Sequence, residues 1–159
     1  MAATSMTCKQ CGTAMSLQPL DPAFGEKGTL KVTLIHLPAW ICPNMHRRFA
    51  MREFPVRLLE RVAGKNMETL PAGKKSGFVF KNYQCGTCGA ALEKGDGREE
   101  TFDFDVMLEG LPPFRVELAM PLYKCSSCGK EQLRTLEDMQ RLAPSAMAHA
   151  FKAAGLAPE

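Results

Sequence analysis

The chain has 159 residues, enough for one ordinary domain or two small ones, and its hydrophobic content of 45% indicates a globular protein. Its net charge of +3 is small, and no apolar run is long enough to cross a bilayer. The first residues lack the charged and apolar regions of a secretory signal, and seven cysteines are an odd number for a complete disulfide framework. We therefore expect a cytoplasmic protein with reduced thiols and no membrane contact.

The first half of the chain begins with a cysteine pair, Cys8-Lys-Gln-Cys11. Residues 30–35 then start with apolar and polar residues in alternation, which is typical of a half-buried strand, and residues 14–18 are a suitable partner strand. The cluster Cys42-Pro-Asn-Met-His46 follows after a few more residues. This order predicts an antiparallel hairpin between two cysteine clusters.

The second half repeats this arrangement. Phe78 and Phe80 suggest a short strand that leads into the pair Cys85-Gly-Thr-Cys88. Residues 102–108 and 114–118 alternate in polarity on either side of a Gly- and Pro-containing turn, so they predict a second hairpin. The pair Cys125-Ser-Ser-Cys128 follows the second strand.

Two further segments, residues 55–63 and 144–154, predict short helices. A proline at the first position of each segment suits a helix start, and a glycine after each segment suits a helix stop. The prolines and glycines are Pro55, Pro144, Gly64 and Gly155. Each predicted helix follows the last cysteine cluster of its half.

Further similarities between the halves indicate a tandem duplication. In both halves a glycine follows the first cysteine pair, a proline lies four residues before the third ligand, and an aromatic residue lies two before it. These residues are Gly12, Pro38 and Trp40 in the first half, and Gly89, Pro121 and Tyr123 in the second. A glycine after a cysteine pair can adopt the positive φ that a tight turn around a metal ion requires.

The clusters predict two structural zinc sites, because tetrahedral zinc in such sites takes four cysteine or histidine ligands. Site 1 comprises Cys8, Cys11, Cys42 and His46, and site 2 comprises Cys85, Cys88, Cys125 and Cys128. Site 2 is a complete four-cysteine set. In site 1 Met45 stands where the fourth cysteine belongs, and a thioether is a poor zinc ligand, so His46 is the preferred fourth ligand. His36 is an alternative, and in a third interpretation site 1 has decayed to plain or reactive thiols.

The predicted fold is small, zinc-stabilised and β-rich, with a minor helical part. It consists of two tandem zinc ribbons, each an antiparallel hairpin followed by a short helix. Residues 1–66 form the first ribbon with its trailing helix, residues 67–82 a linker or short strand, and residues 83–159 the second ribbon with C-terminal helices. Modules of this size bury little core, so we expect zinc binding, worth about 10–16 kcal/mol, to decide whether they fold.

The cysteine pair, the strand ending in Leu37-Pro-Ala-Trp-Ile-Cys42 and the following helix resemble the YgiT-type zinc finger, the zinc domain of MqsA-like antitoxins. The resemblance covers about residues 8–63 and, more loosely, residues 85–155. It implies that Cys8, Cys11, Cys42 and His46 take the family's metal-binding positions, and that a surface engages a partner protein without chemistry of its own. The chain departs from the family in the missing fourth cysteine, and we expect no helix–turn–helix domain, because about thirty residues after Cys128 are too few to form one.

Charge distribution gives the remaining indication of a partner. Residues 46–81 hold nine Lys or Arg against three Glu, and residues 89–121 hold eight acidic residues against three basic ones. Candidate contact residues for a partner or a nucleic acid are Arg47, Arg48, Arg52, Arg57, Arg61, Lys74 and Lys75. The basic segment can bind phosphate backbones, but a solvated helix face or pairing with the acidic half explains the same residues.

We expect no enzyme, because the sequence contains no nucleophile–base set, phosphate-binding loop or dinucleotide motif, and a four-cysteine site leaves no open position for catalysis. No small-molecule substrate is indicated. The favoured function is a protein-interaction or regulatory module of antitoxin-like character. Nucleic-acid binding through residues 46–81 is the first alternative, and thiol redox sensing is the second.

Overall fold

The computed structural model describes residues 6–76, 82–92 and 97–156. Within these ranges the chain is β-rich, with few helices. The strands of the first half are β1 (Met6–Thr7), β2 (Ala14–Pro19), β3 (Ala23–Lys27), β4 (Leu30–Ile35), β5 (Pro38–Ile41) and β6 (Arg47–Phe49). Those of the second half are β7 (Lys74–Ser76), β8 (Asn82–Gln84), β9 (Arg98–Val106), β10 (Phe114–Lys124) and β11 (Glu131–Gln132). The predicted strand through Phe78 and Phe80 lies outside the described residues.

The hairpin of the first half differs from the prediction in its pairing. A two-residue turn, with Gly28 at φ 57°, returns the chain from β3 to β4, so that β3 and not β2 lies beside β4. Strand β2 instead pairs antiparallel with β5, and Leu17 lies opposite Trp40. The prediction that residues 14–18 pair with residues 30–35 is therefore wrong, because the tight turn places the intervening segment next to β4.

The hairpin of the second half is present and longer than predicted. Strand β9 pairs antiparallel with β10 from Val106 opposite Phe114 to Arg98 opposite Leu122. Gly110 adopts φ 82° in the loop between the two strands. The alternation of side chains places Val116 and Leu118 in the core, while Arg115 is exposed.

The two halves meet in one sheet, because β4 of the first half pairs antiparallel with β10 of the second. Thr33 lies opposite Glu117, Val32 opposite Leu118 and Leu34 opposite Val116. The sheet runs in the order β11, β10, β4 and β3, with β9 on the other edge of β10. Since β4 and β10 run in opposite directions, the clusters that follow them, at Cys42 and Cys125, lie toward opposite ends of the molecule.

A hydrophobic core lies between this sheet and the helices. Its members come from both halves, and its fully buried residues include Leu30, Val32, Leu34, Phe54, Leu58, Val116, Leu118, Met120 and Met147. Two smaller clusters surround the cysteines, one with Met15 and Trp40 and one with Leu92. The centre of the fold thus buries a conventional core, which our expectation of metal-dependent modules with little core did not include.

The first helical segment extends beyond its predicted stop. Helix α1 (Phe54–Leu59) has Pro55 at its start, continues as a π-helical segment over Glu60–Asn66 and ends with a 3₁₀ turn at Met67–Thr69. Gly64 therefore lies inside the helical segment. Burial of Leu58, Val62 and Met67 against the core outweighs the weak preference of one glycine for a helix end.

The second helix begins earlier than predicted. Helix α2 (Leu136–Ala153) is capped by Thr135, whose hydroxyl accepts a hydrogen bond from the Asp138 N–H at 3.3 Å. Pro144 lies inside the helix instead of at its first position. The predicted stop is correct, because Gly155 adopts φ 78° and its N–H donates to the Lys152 carbonyl.

Helix α2 packs directly on strand β3 through small residues. A Cβ atom added to Gly25 would lie 2.2 Å from the Ala150 backbone nitrogen and 2.3 Å from the Ala146 carbonyl oxygen. Both alanines are fully buried. Among the described helices, none combines the length and the apolar character that a membrane span requires.

Candidate metal centres

The structure brings the four predicted residues of site 1 together. The sulfur atoms of Cys8, Cys11 and Cys42 and a ring nitrogen of His46 all lie within 4.8 Å of one another. Cys11 Sγ lies 3.7 Å from Cys42 Sγ, and His46 Nδ1 lies 3.4 Å from the sulfurs of both Cys8 and Cys42. Cys8 and Cys42 are buried, whereas Cys11 is exposed.

The four predicted residues of site 2 also converge, with all sulfur atoms within 4.8 Å of one another. Cys85 Sγ lies 3.6 Å from Cys128 Sγ, and Cys88 Sγ lies 3.5 Å from Cys125 Sγ. Cys85 and Cys125, the first cysteines of their pairs, are buried, and the second cysteines are exposed. Each cysteine pair therefore turns one sulfur inward and leaves the other near solvent.

The distances fit a tetrahedral ion. Zinc bound to sulfur at about 2.3 Å with tetrahedral angles separates two sulfurs by about 3.8 Å, and a sulfur from an imidazole nitrogen by about 3.6 Å. The observed 3.5–3.7 Å between sulfurs and 3.4 Å between sulfur and nitrogen are close to these values. They exceed the disulfide bond length of about 2.05 Å, and all seven cysteines are free. Both sets therefore match the donors and the spacing of a structural metal site.

Three of the four turns have the same backbone. The glycine after each Cys-x-x-Cys pair adopts a positive φ, and its N–H donates to the carbonyl of the first cysteine. These glycines are Gly12, Gly89 and Gly129, at φ 71°, 76° and 77°. The ligand is thus the fourth residue of the turn and the residue with positive φ is the fifth.

The turn at Cys42 exchanges these two roles. Met45, the fourth residue, adopts φ 67° and donates its N–H to the Cys42 carbonyl at 2.9 Å. His46, the fifth residue, supplies the ring nitrogen. The longer imidazole compensates for the shifted position of its backbone. Met45 is 62% exposed, so its thioether takes no part in the group.

His36, the alternative ligand of the sequence analysis, lies elsewhere. It is exposed and adopts φ 60° in the short connection between β4 and β5. Neither described group of possible metal ligands includes it. The structure therefore favours His46 over His36 as the fourth member of site 1.

A buried glutamine supports site 2. The side-chain amide of Gln132, which is 1% exposed, donates to Cys85 Sγ at 3.1 Å and accepts from the Gly86 N–H at 2.8 Å. Backbone hydrogen bonding from Cys88, followed by the Gln132 amide, lowers the pKa of the Cys85 thiol to about 5. The sequence analysis missed Gln132, because a single glutamine four residues after the last cysteine carries no recognisable spacing.

Site 1 stabilises a thiolate in another way. The Thr13 hydroxyl lies 3.3 Å from Cys11 Sγ and, with the Asn44 side chain, lowers the pKa of this thiol to about 5. Burial raises the pKa of Cys42. Trp40 packs against Cys8 and Cys42 and donates its indole N–H to the Ala50 carbonyl at 3.1 Å. As the only tryptophan of the chain, it is a natural spectroscopic reporter of site 1.

Several candidate contact residues have partners inside the protein. Arg47 donates to the Ala154 carbonyl at the end of α2 at 2.5 Å, and Arg61 donates to the Met107 carbonyl at 3.3 Å. Arg57 pairs with Glu53, and Lys75 lies 4.0 Å from Asp138. Arg48 donates to the sulfur of Met6. Arg52 and Lys74 are exposed, so the seven residues do not form one uniform basic surface.

No protein-family profile, curated protein or solved structure matches this chain. The resemblance to the YgiT-type zinc finger therefore stays a prediction based on the cysteine pairs and the strand before Cys42.

Proposed function

We propose that this protein is a non-catalytic zinc protein of the cytoplasm that acts as a protein-interaction or regulatory module. Two tandem zinc ribbons, fused through their central strands, form its scaffold. The observation that carries the proposal is the pair of four-ligand groups with tetrahedral spacing, one toward each end of the β4–β10 pair. One zinc ion would be held by Cys8, Cys11, Cys42 and His46. The other would be held by the four remaining cysteines.

The donor sets support a structural role for the ion. A catalytic zinc keeps one position open for water or substrate, whereas four cysteine or histidine donors close the coordination sphere. Each group offers four such donors, and neither includes a carboxylate. Bound zinc would fix the two ends of a protein whose centre already has an apolar core. The reduced cytoplasm suits this chemistry, because only free thiolates hold the metal.

An antitoxin-like role, inhibition of one partner protein, is the specific form of this proposal. It follows from the resemblance of the first half to the YgiT-type zinc finger. Nucleic-acid binding has less support, because Arg47, Arg57 and Arg61 already make contacts within the protein. The acidic strand β9, with Glu99, Asp103 and Asp105, would also repel phosphate.

Two measurements test the proposal. Native mass spectrometry of the purified chain is expected to show two zinc ions, and their absence or rapid exchange at both sites would contradict the structural role. Affinity purification from the source cell, with and without nuclease, is expected to retain one protein under both conditions. Retention of nucleic acid alone, with binding that falls steeply as salt rises, would favour the alternative.

A further inference from the structure

An apolar groove runs between α1 and α2 on the side of the molecule that carries site 1. Its volume is about 510 Å³. Its apolar lining includes Phe49, Val56, Leu59, Met147, Phe151 and Leu156. Val56 is 59% exposed, which is high for a valine on a helix that packs on the core. Met147, Phe151 and Leu156 are buried core residues that form the floor, and Val56 adds an exposed apolar side chain at the edge, so the groove offers an apolar surface to a partner.

The groove continues into a basic section. Phe49 and Pro55 border both this groove and an adjoining depression of about 590 Å³, which Lys9, Arg48 and Arg52 line together with two methionines. Lys152 lies on the wall of the apolar section. Among the described residues, no carboxylate lines either section. An occupant thus meets apolar side chains along the floor and positive charge at Lys152 and in the adjoining basic section, whereas the surface beyond Val56 carries both acidic and basic side chains.

We propose that this α1–α2 groove binds an acidic amphipathic helix of a partner protein. The inference rests on the interaction role proposed above and specifies its surface and its ligand. A groove between two helices accommodates a third helix, whose apolar residues at positions i, i+3, i+4 and i+7 fill the floor. Carboxylates on the flanks of that helix then face Lys9, Arg52 and Lys152 across the margins.

Other occupants fit the same surface less well. Nucleic acid needs positive charge along its whole track, whereas the lining of the central section is apolar except for Lys152. A membrane binds apolar side chains that protrude from a protein, whereas the apolar side chains here line a concave groove. A second copy of the chain offers its densest acidic run on strand β9, and a strand does not match a groove between helices.

Site 1 builds the basic end of the groove. Lys9 lies between Cys8 and Cys11 in the first turn, and Arg48 follows His46 on strand β6. Loss of the ion from site 1 would release the turn that carries Lys9 and loosen the turn that leads into β6, although Arg48 also pairs with Trp40 of β5. Binding of the helix is therefore expected to require metal at site 1 and to be insensitive to site 2.

The test is a selection of peptides from a random display library on the zinc-loaded full-length protein. Peptides of about 14 residues, roughly four helical turns, are long enough to fill the groove. We expect the enriched sequences to be net negative and to repeat apolar residues at helical spacing. Their affinity should fall about tenfold or more for Val56→Glu, because the new carboxylate lies among the apolar contacts and repels the acidic helix.

Matched variants separate the groove from general effects. Met107→Glu replaces another exposed apolar residue, 64% exposed and outside the groove, and is expected to leave affinity within about twofold. Arg52→Glu is expected to weaken binding about tenfold, and Lys27→Glu, on the exposed end of β3, to leave it unchanged. Trp40 fluorescence and thermal melting of each variant establish that it is folded.

Three results would overturn the inference. One is enrichment of neutral or basic peptides, or of none. Another is equal affinity for the wild type and Val56→Glu. The third is Val56-dependent binding of duplex DNA, or of phosphatidylcholine–phosphatidylglycerol vesicles, in place of peptides. Capture from the source cell can also yield a protein partner. If Val56→Glu and Arg52→Glu both leave its affinity unchanged, the groove is not its binding site, but the proposed interaction role stands.

Discussion

At the scale of single residues, the turn at Cys42 shows how a shifted backbone accommodates a histidine in place of the fourth cysteine. Only glycine adopts a positive φ without strain, and an L residue in this region costs about 1–2 kcal/mol. Met45 carries that strain at φ 67°, while its side chain is largely exposed. The strain is the consequence of a ligand that sits one residue later than in the other three turns.

Met45→Gly is therefore expected to stabilise the zinc-bound protein by about 1 kcal/mol, because glycine removes the strain and no buried contact is lost. Chemical denaturation measures the change. Gly12→Ala is the matched control: φ is 71°, nothing lies within 4 Å of the added Cβ, and the substitution should destabilise by about the same amount. Destabilisation by both variants would mean that the Met45 side chain contributes to the fold.

Gln132 gives a second prediction at this scale, because its amide binds both a ligand sulfur and the adjacent backbone. Gln132→Leu keeps the size of the side chain and removes both hydrogen bonds. Metal affinity at site 2 should fall about 10–100-fold, as is typical when a ligand loses its supporting hydrogen bond. Competition against a chromophoric chelator measures the affinity.

Gln140→Leu is the control for that experiment. Gln140 also donates a side-chain hydrogen bond, to the Ala63 carbonyl at 2.7 Å, but it contacts neither cysteine group. Its replacement should leave both affinities unchanged. An equal loss at sites 1 and 2 in Gln132→Leu would indicate a general loss of structure and contradict the local role.

At the scale of elements, the sequence around helix α2 contains two conflicting signals for where the helix begins. Thr135 and the acidic residues Glu137 and Asp138 form a good start, and Pro144 argues for a later one. The early start prevails because it lets the helix bury Met139 and Ala143 on the core. A proline inside a helix removes one backbone hydrogen bond, and the structure tolerates this cost.

Pro144→Ala is thus expected to raise the free energy of unfolding by about 1–3 kcal/mol, since the new N–H can donate within the helix and the proline ring no longer crowds the preceding turn. Thermal melting measures the gain. Pro55→Ala, at the start of α1, is the matched control and should be neutral or slightly destabilising. An equal response of both positions would mean that the helix is already adapted to Pro144.

The contact between α2 and β3 depends on the absence of a side chain at Gly25. Gly25→Ala would place its Cβ against the backbone of Ala146 and Ala150, so we expect a loss of about 1–3 kcal/mol. In the control Gly64→Ala, nothing lies within 4 Å of the added Cβ, and the helical position should gain about 0.5–1 kcal/mol. Unfolding in urea distinguishes the two, and a neutral Gly25→Ala would show that the helix can move away.

The sequence predicts these elements unevenly. Strands β9 and β10 follow from side-chain alternation and a turn, which are local signals. The pairing of β2 with β5 cannot be predicted in this way. Alternation shows that a segment is a strand, but the partner strand depends on where the chain turns. Similarly, cysteine spacing groups the candidate metal ligands and favours His46, but only the folded chain shows that the ring of His46, and not that of His36, lies beside the three sulfurs.

At the scale of the whole molecule, the candidate metal sites and the hydrophobic core occupy different regions. The cysteine groups and their small apolar clusters lie apart from the central core between the sheet and the helices. The sequence did not reveal this core, because its two halves contribute to it jointly and each half alone predicts only a small module. Zinc is therefore expected to stabilise the ends more than the centre.

Removal of zinc by a chelator under reducing conditions should unfold the ends first. Hydrogen exchange is the measurement: the amides of Cys8 and Cys85 should lose protection, while those of Val32 and Leu118 in the central strand pair retain it. Trp40 fluorescence should change with the loss of site 1. Uniform loss of protection would mean that the ions stabilise the entire fold. Unchanged exchange would mean that they stabilise no part of it.

The register of β4 on β10 has a consequence for the history of the chain. The antiparallel pairing of β4 with β10 joins the corresponding strands of the two predicted repeats, in the way that equivalent strands pair across the interface of a symmetric homodimer. Joining two such subunits in one polypeptide makes their association independent of concentration and frees each copy to diverge. We expect a single-copy ancestor to have assembled through this same strand, the histidine at site 1 to be a specialisation of the first copy, and the groove to have arisen only when both copies stood in one chain, because its lining comes from α1 of the first half and α2 of the second.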